Sequence, residues 1–179
     1  MQILFFPLLI LMPFVQDNIF MIGDKSFNCT SNMTFYMNKK YQPEYDKIDC
    51  LIAKNGSEGF FVISKSTSGS EMIIKGNAII YLDDNTVITL YDKGKRDYVD
   101  MISTNVYNLT KSEIDKLQNS DISSVRFKVI CTIGSSCTGP EVGDWTAHNQ
   151  EKSYNDMFSG KFTKREKVKT SQIVKELYE

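Results

Sequence analysis

Apolar and polar positions alternate with a period of two through the middle of the chain, and short polar breaks divide that pattern into segments. IDCLIAK (48–54) and GFFVISK (59–65) flank Asn55-Gly56. An Asn-Gly step between two apolar runs predicts a β-hairpin, because both residues tolerate positive φ. SKSTSGS (64–70) reads as a Ser/Gly loop. MIIKGNAIIYL (72–82) and TVITLY (86–91) then flank Asp83-Asp84-Asn85 and predict a second hairpin, with Gly76 marking a bulge or bend inside the longer run. KGKRD (93–97) is a polar turn and YVDMISTNVY (98–107) a further strand.

At Thr110 the period changes. Thr110 and Glu113 have the spacing of a capping box, and Ile114 and Leu117 follow at helical spacing. The predicted helix is too short to stand alone and must lie against the sheet. In SSVRFKVIC, Val125, Phe127, Val129 and Cys131 return to alternation and predict a half-buried strand. Gly134, Gly139, Pro140 and Gly143 break the chain after it, so 131–150 reads as a Gly-rich loop. QEKSYNDMF reads as a helical turn. A second capping-box spacing, Thr163 to Glu166, opens a C-terminal helix whose apolar stripe is Ile173, Val174 and Leu177.

These elements predict an α+β fold: an antiparallel, meander-like sheet of about five to seven strands. One short helix near 110–120 packs on a face, and a second helix closes the chain. Three regions follow: an apolar N-terminal segment (1–22), a β-rich domain (23–150) and a helical C-terminal tail (151–179).

From Ile3 to Val15 every residue is apolar or proline. The run is too short to span a bilayer, and Pro7 and Pro13 interrupt it. It fits the apolar region of a signal peptide, although no basic residue precedes it and no small-x-small cleavage site follows. Export is the expectation; a retained membrane anchor and a buried N-terminal element are the alternatives. Export makes disulfides plausible. The four cysteines allow three pairings, with Cys29–Cys50 and Cys131–Cys137 favoured by their short loops. Four N-x-S/T triplets begin at Asn28, Asn32, Asn55 and Asn108. Their composition alone yields about two by chance, so the sequence gives them no weight.

Composition adds little. The net charge of -1 gives no global bias toward nucleic acid or anionic lipid. Three alanines among 179 residues leave few strong helix positions, in keeping with a sheet-rich chain.

The stretch 131–150 gathers the only tryptophan, the only histidine and two cysteines. Cys137 with His148, oriented by Asp144, could serve thiol or acid/base chemistry, and Trp145, His148 and Asp144 could line a ligand site. The bland readings are a structural cysteine, a surface histidine and a tryptophan packed on the sheet. The cysteine gaps are too long for a zinc site, and Asp83-Asp84-Asn85 is what a hairpin turn prefers. No phosphate-binding, serine-hydrolase or zincin motif occurs, so neither metal nor cofactor is expected. GKFTKREKVK (160–169) has five basic side chains against one acidic. It could contact nucleic acid or anionic membrane, although a solvated face is the ordinary meaning of such a run.

The motif Tyr107-x-Leu109-Thr110-x-x-Glu113-Ile114-x-x-Leu117, followed by Ile122-x-x-Val125-Arg126-Phe127, resembles small exported bacterial proteins that are β-rich, often envelope-associated and of uncharacterised function. The resemblance covers residues 80–130. It implies a helix packed on a returning sheet and brings no catalytic residue. The expected role is a non-enzymatic binding or envelope-structural one, with a protein or envelope partner. Nucleic acid is disfavoured as a partner, and membrane contact would come through the N-terminal segment.

Overall fold

The structure, a computed structural model, describes residues 18–37, 47–67, 72–132, 142–155 and 162–179. In chain order the elements are β1 (Asn18–Ile22), β2 (Lys25–Cys29), β3 (Met33–Met37), β4 (Lys47–Asn55), β5 (Glu58–Ser66), β6 (Met72–Ile74), β7 (Ala78–Leu82), β8 (Val87–Leu90), β9 (Arg96–Val99), β10 (Ile102–Leu109), α1 (Lys111–Asn119), β11 (Ile122–Cys131), β12 (Gly143–His148), β13 (Lys152–Asn155), β14 (Phe162–Arg165) and α2 (Thr170–Tyr178).

All pairings are antiparallel. The main sheet runs β8-β7-β11-β12-β3-β4-β5-β10-β9, with β1 and β2 branching from β4 and β6 continuing β7 along the same edge of β11. Twelve strands in this curled half-barrel replace the five to seven expected. Two local breaks explain part of the excess. Gly76, at φ 95°, divides the 72–82 run into β6 and β7. Asp100 and Met101, both at positive φ, divide 98–107 into β9 and β10. A simple meander also fails. The sequence-local hairpins form, but β12 pairs with β3 and β5 with β10, so distant hairpins are interleaved.

The β4–β5 hairpin forms where Asn-Gly predicts it, one residue out of register. Asn55 pairs with Glu58, so the turn residues are Gly56 and Ser57, and Gly56 alone takes positive φ. The unbroken apolar run in β5 has a reason: both of its faces are covered. Phe61 and Ile63 face the concave core, together with Phe35, Ile48, Ile52, Val125, Phe127 and the helix residues Ile114, Leu117 and Val174. Phe60 and Val62 face outward under the β1–β2 hairpin, which lays Phe20, Ile22 and Phe27 over them. Phe27 meets Phe60 edge-on, with ring centroids 5.2 Å apart.

This two-faced sheet overturns the Cys29–Cys50 pairing. Cys29 lies across from Ala53 and belongs to the outer cluster, whereas Cys50, three residues away on β4, belongs to the concave core. Odd separation along a strand puts the two sulfurs on opposite faces. Both thiols are free. Cys131 is disulfide-bonded, and Cys137 lies outside the described residues.

The helices plug one end of the half-barrel. The capping box of α1 is formed as expected: Glu113 N–H donates to Thr110 Oγ1, and Thr110 N–H to Glu113 Oε2. The helix expected to open at Thr163 does not begin there. The stretch read as a helical tail first forms the β13–β14 hairpin, and α2 starts at Thr170. No side chain at its own N-cap serves α2. Asp121, just before β11, does so from across the fold: its Oδ1 accepts from Ser171 N–H at 2.8 Å and Ser171 Oγ at 2.7 Å. Thr170 Oγ1 in turn accepts from Ile122 N–H at 2.7 Å. At the other end of α2, Lys54 Nζ donates to Leu177 O, where a cation is favoured by the helix dipole. Tyr178 Oη donates to Glu58 O and lies directly over Gly59.

Two tests follow from this plug. A Cβ at residue 59 would meet Tyr178 Oη and come within 2.7 Å of Ala53 O. Gly59→Ala should therefore lower stability by about 1–3 kcal/mol, read from the shift in a denaturant midpoint. Burial raises the Asp121 carboxyl, but the Ser171 hydrogen bonds and the charges of Lys169 and Lys167 outweigh it and hold it below its ordinary 3.8. A depressed carboxyl stabilises the fold above its unfolded pKa, and that stabilisation is lost as pH falls through the folded value. Asp121→Asn should lower the melting temperature at neutral pH and flatten its decline below about pH 4.

Candidate functional site

The strand directions sort the ends of the half-barrel. At the end opposite the helices the chain leaves the described sheet after Met37, Thr67 and Thr132 and re-enters it at Lys47, Met72 and Val142. The β9–β10 turn lies at this open end, with Ile102 across from Ser66.

That turn is built against local preference. Val99 pairs with Ile102, leaving Asp100 and Met101 as a two-residue loop with φ of 51° and 60°. Both values lie in the left-handed region, which such loops normally fill with Asn or Gly. A methionine there costs roughly 1–2 kcal/mol. Thr67, almost fully buried, holds it in place: its N–H and its Oγ1 donate to Met101 O at 2.8 and 3.1 Å, and its Oγ1 lies 3.1 Å from Tyr98 Oη. The braced turn points three apolar side chains at solvent: Val99 and Met101 are each 56% exposed and Ile102 42%. Strain kept in place by surrounding bonds, beside exposed apolar surface, marks this tip as the candidate site.

Behind the tip a polar seam closes the curl. Ser103, Asn105 and Tyr107 project from β10 into the concave side and serve the free edge of β6. Ile74 N–H donates to Ser103 Oγ at 2.8 Å, Asn105 Nδ2 lies 3.4 Å from Ile74 O, and Tyr107 Oη donates to Gly76 O at 3.1 Å. Asp92 completes the seam: Gly76 N–H and Arg96 Nη2 donate to its Oδ2, and Gly94 N–H to its Oδ1.

The titratable groups with displaced pKa values all move away from neutrality. Burial pushes up the thiols of Cys29 and Cys50, the latter well above 9.0, and the Tyr107 phenol. Burial takes Tyr178 up to about 12. For Asp92, burial raises the carboxyl, but the Gly76 and Gly94 N–H groups and Arg96 bring it below 3.8. General acid–base work at neutral pH needs the opposite displacement. The seam therefore reads as a structural latch.

The described residues among those singled out in 131–150, Asp144, Trp145 and His148, do not converge. Their segment is strand β12 where a loop was expected. Trp145 and Ala147 pack with the concave core, while Asp144 and His148 alternate onto the outer face, across from Lys128 and Ser124. Four residues along one strand separate Asp144 from His148 by about 13 Å, beyond hydrogen-bond reach. The third member of that set, Cys137, lies outside the described residues. In the basic stretch, Lys164 pairs with Glu151, Lys167 with Asp83 and, at 3.9 Å, Lys169 with Asp121, so each of the three basic side chains described there is matched. Among the described residues no three His, Cys, Asp or Glu side chains group to hold a metal ion. No described helix is long and apolar enough to cross a membrane.

Set against family models, curated proteins and solved structures, this chain matches none.

Sequence reasoning missed Val99, Met101, Ile102 and the brace at Thr67. Asp100 interrupts an otherwise β-prone run and was the one available signal; Met101 hides the turn because nothing in its chemistry announces positive φ. If the tip is strained as its geometry implies, Met101→Gly should raise stability by about 1 kcal/mol in chemical denaturation, an unusual gain for deleting a whole side chain.

Proposed function

We propose that this is an exported, non-enzymatic binding protein whose half-barrel presents the β9–β10 tip to a protein partner. The observation that carries the reading is the tip itself. Val99, Met101 and Ile102 are held out in water by a turn that would relax with glycine, and Thr67 fixes it with two hydrogen bonds to one carbonyl. A rigid apolar anchor loses little conformational freedom on docking, which favours affinity. Export is supported by the apolar N-terminal run and fits a disulfide at Cys131, since disulfides persist in oxidising compartments. An envelope setting draws on the resemblance in residues 80–130 alone.

A photo-crosslinking residue at position 99, introduced into the chain in its native host, should give one discrete adduct. Excess wild-type protein should compete it away, and the double variant Val99→Lys/Ile102→Lys should not. The same probe at Val87, a comparably exposed valine on β8, is the reference. An identical adduct pattern from both positions would overturn the binding assignment. Recovery of the uncleaved chain from the cytosol would overturn export.

A further inference from the structure

We propose that the four N-x-S/T triplets are acceptors for N-linked glycan, and that the glycans clothe the outer face around the β1–β2 hairpin while the open end stays bare. The proposal rests on the export reading, because the transfer takes place outside the cytosol.

All four acceptor asparagines, Asn28, Asn32, Asn55 and Asn108, are exposed. The buried asparagines of the described chain, Asn105 and Asn149, stand outside the motif. The four also share one region of the fold. Cys29, Ala53, Phe60 and Asn108 are successive cross-strand partners in a single row over β2, β4, β5 and β10. That row spans three strand spacings, about 14 Å. Asn28 adjoins its first member, Asn55 lies two residues beyond its second, Asn108 ends it, and Asn32 sits in the link from β2 to β3.

The surface there gives the glycans something to do. Asn28 is the cross-strand partner of Ile19, and Met21 stands two residues along the same face. Ile19 is 63% and Met21 54% exposed, on a strand that pairs among the described residues with β2 alone. Exposed apolar edges template unwanted pairing, and a bulky hydrophilic group beside one blocks it. The β9–β10 tip carries no acceptor, so its apolar surface remains free to dock.

In the transfer, a lipid-pyrophosphate-linked oligosaccharide is the donor. The bond from the sugar C1 to the pyrophosphate oxygen breaks, the lipid pyrophosphate leaves with the electron pair, and C1 bonds to the asparagine Nδ2, which gives up one proton. The folded state constrains when this happens. Thr30 Oγ1 accepts from Ile52 N–H, Thr34 Oγ1 donates to Asp49, and Thr110 is the N-cap of α1. Three of the four motif hydroxyls are thus engaged once the sheet forms, whereas Ser57 is exposed in the β4–β5 turn. Asn28, Asn32 and Asn108 must be modified before folding; Asn55 can be modified after it.

The test translates the full chain with glycosylation-competent microsomes in two forms, as it stands and with a strong cleavable signal fused ahead of Met1. Protease protection reports entry, and glycosidase-sensitive mobility steps report occupancy. The fused form should show three or four steps, with Asn28→Gln, Asn32→Gln, Asn55→Gln and Asn108→Gln each removing at most one. Two steps or fewer on protected chain would overturn the proposal. If only the fused form is protected and glycosylated, the export reading fails while the acceptor assignment stands. Chain folded before it meets the transferase should be modified at Asn55 alone; steps at the other sites would overturn the argument from the engaged hydroxyls.

Discussion

The curl of the sheet depends on three side chains doing what a neighbouring strand would otherwise do. β6 meets β11 along one edge; Lys75 N–H, just beyond it, goes to Lys128 O, while the polar groups of Ile74 face the other way. There they find Ser103 and Asn105 on β10, while Tyr107 on the same strand donates to Gly76 O just past β6. A buried backbone group left without a partner costs about 1–3 kcal/mol, so this seam must be complete or stay open. An open sheet of this length would expose the concave faces of β3, β4 and β5, whose Phe35, Ile48, Cys50 and Phe61 are now sealed. The polar column is therefore what allows an apolar core of this size to exist on one side of a sheet.

At the opposite end the chain's last helix performs the matching task. Asn149 makes the junction: its amide donates to Ile122 O and Val168 O, and its carbonyl oxygen accepts from Val168 N–H. One buried side chain thus ties the end of β12 to the start of β11 and to the approach into α2. With Asp121 and Thr170 beside it, the stretch that enters the last helix is tied to residues distant in sequence at four consecutive positions, by hydrogen bonds at Val168, Thr170 and Ser171 and an ion pair at Lys169. This explains how α2, with no cap of its own, is held against the barrel.

Much of the local structure was legible, and the reason is physical. Strand periodicity in SSVRFKVIC, the Thr110–Glu113 box and the Asn-Gly step each act over a few residues and leave a mark in order of occurrence. The two-sided burial of β5 was also written in GFFVI, an unbroken apolar run of the kind that buried strands show. What did not show was anything decided across the fold. Thr163 and Glu166 have capping spacing yet fall in or beside a strand. Cys29 and Cys50 look well placed for a bond until the faces of the sheet are assigned. Met101 turns the chain because Thr67, on another strand's end, holds it there. Rarity is a separate signal: the lone Trp and His drew notice in 131–150, while the exposed tip is made of ordinary residues.

The join between β12 and β3 carries a further consequence. Among the described residues two rungs hold it, Ala147 to Met37 and His148 to Tyr36, and its partners are separated by more than half the chain. During synthesis β3 emerges long before its neighbour, so the barrel wall cannot close until nearly all the polypeptide has left the ribosome. Such high contact order slows folding and keeps an apolar strand uncovered in the meantime. For a chain of this topology, a pause late in translation would be the most hazardous moment.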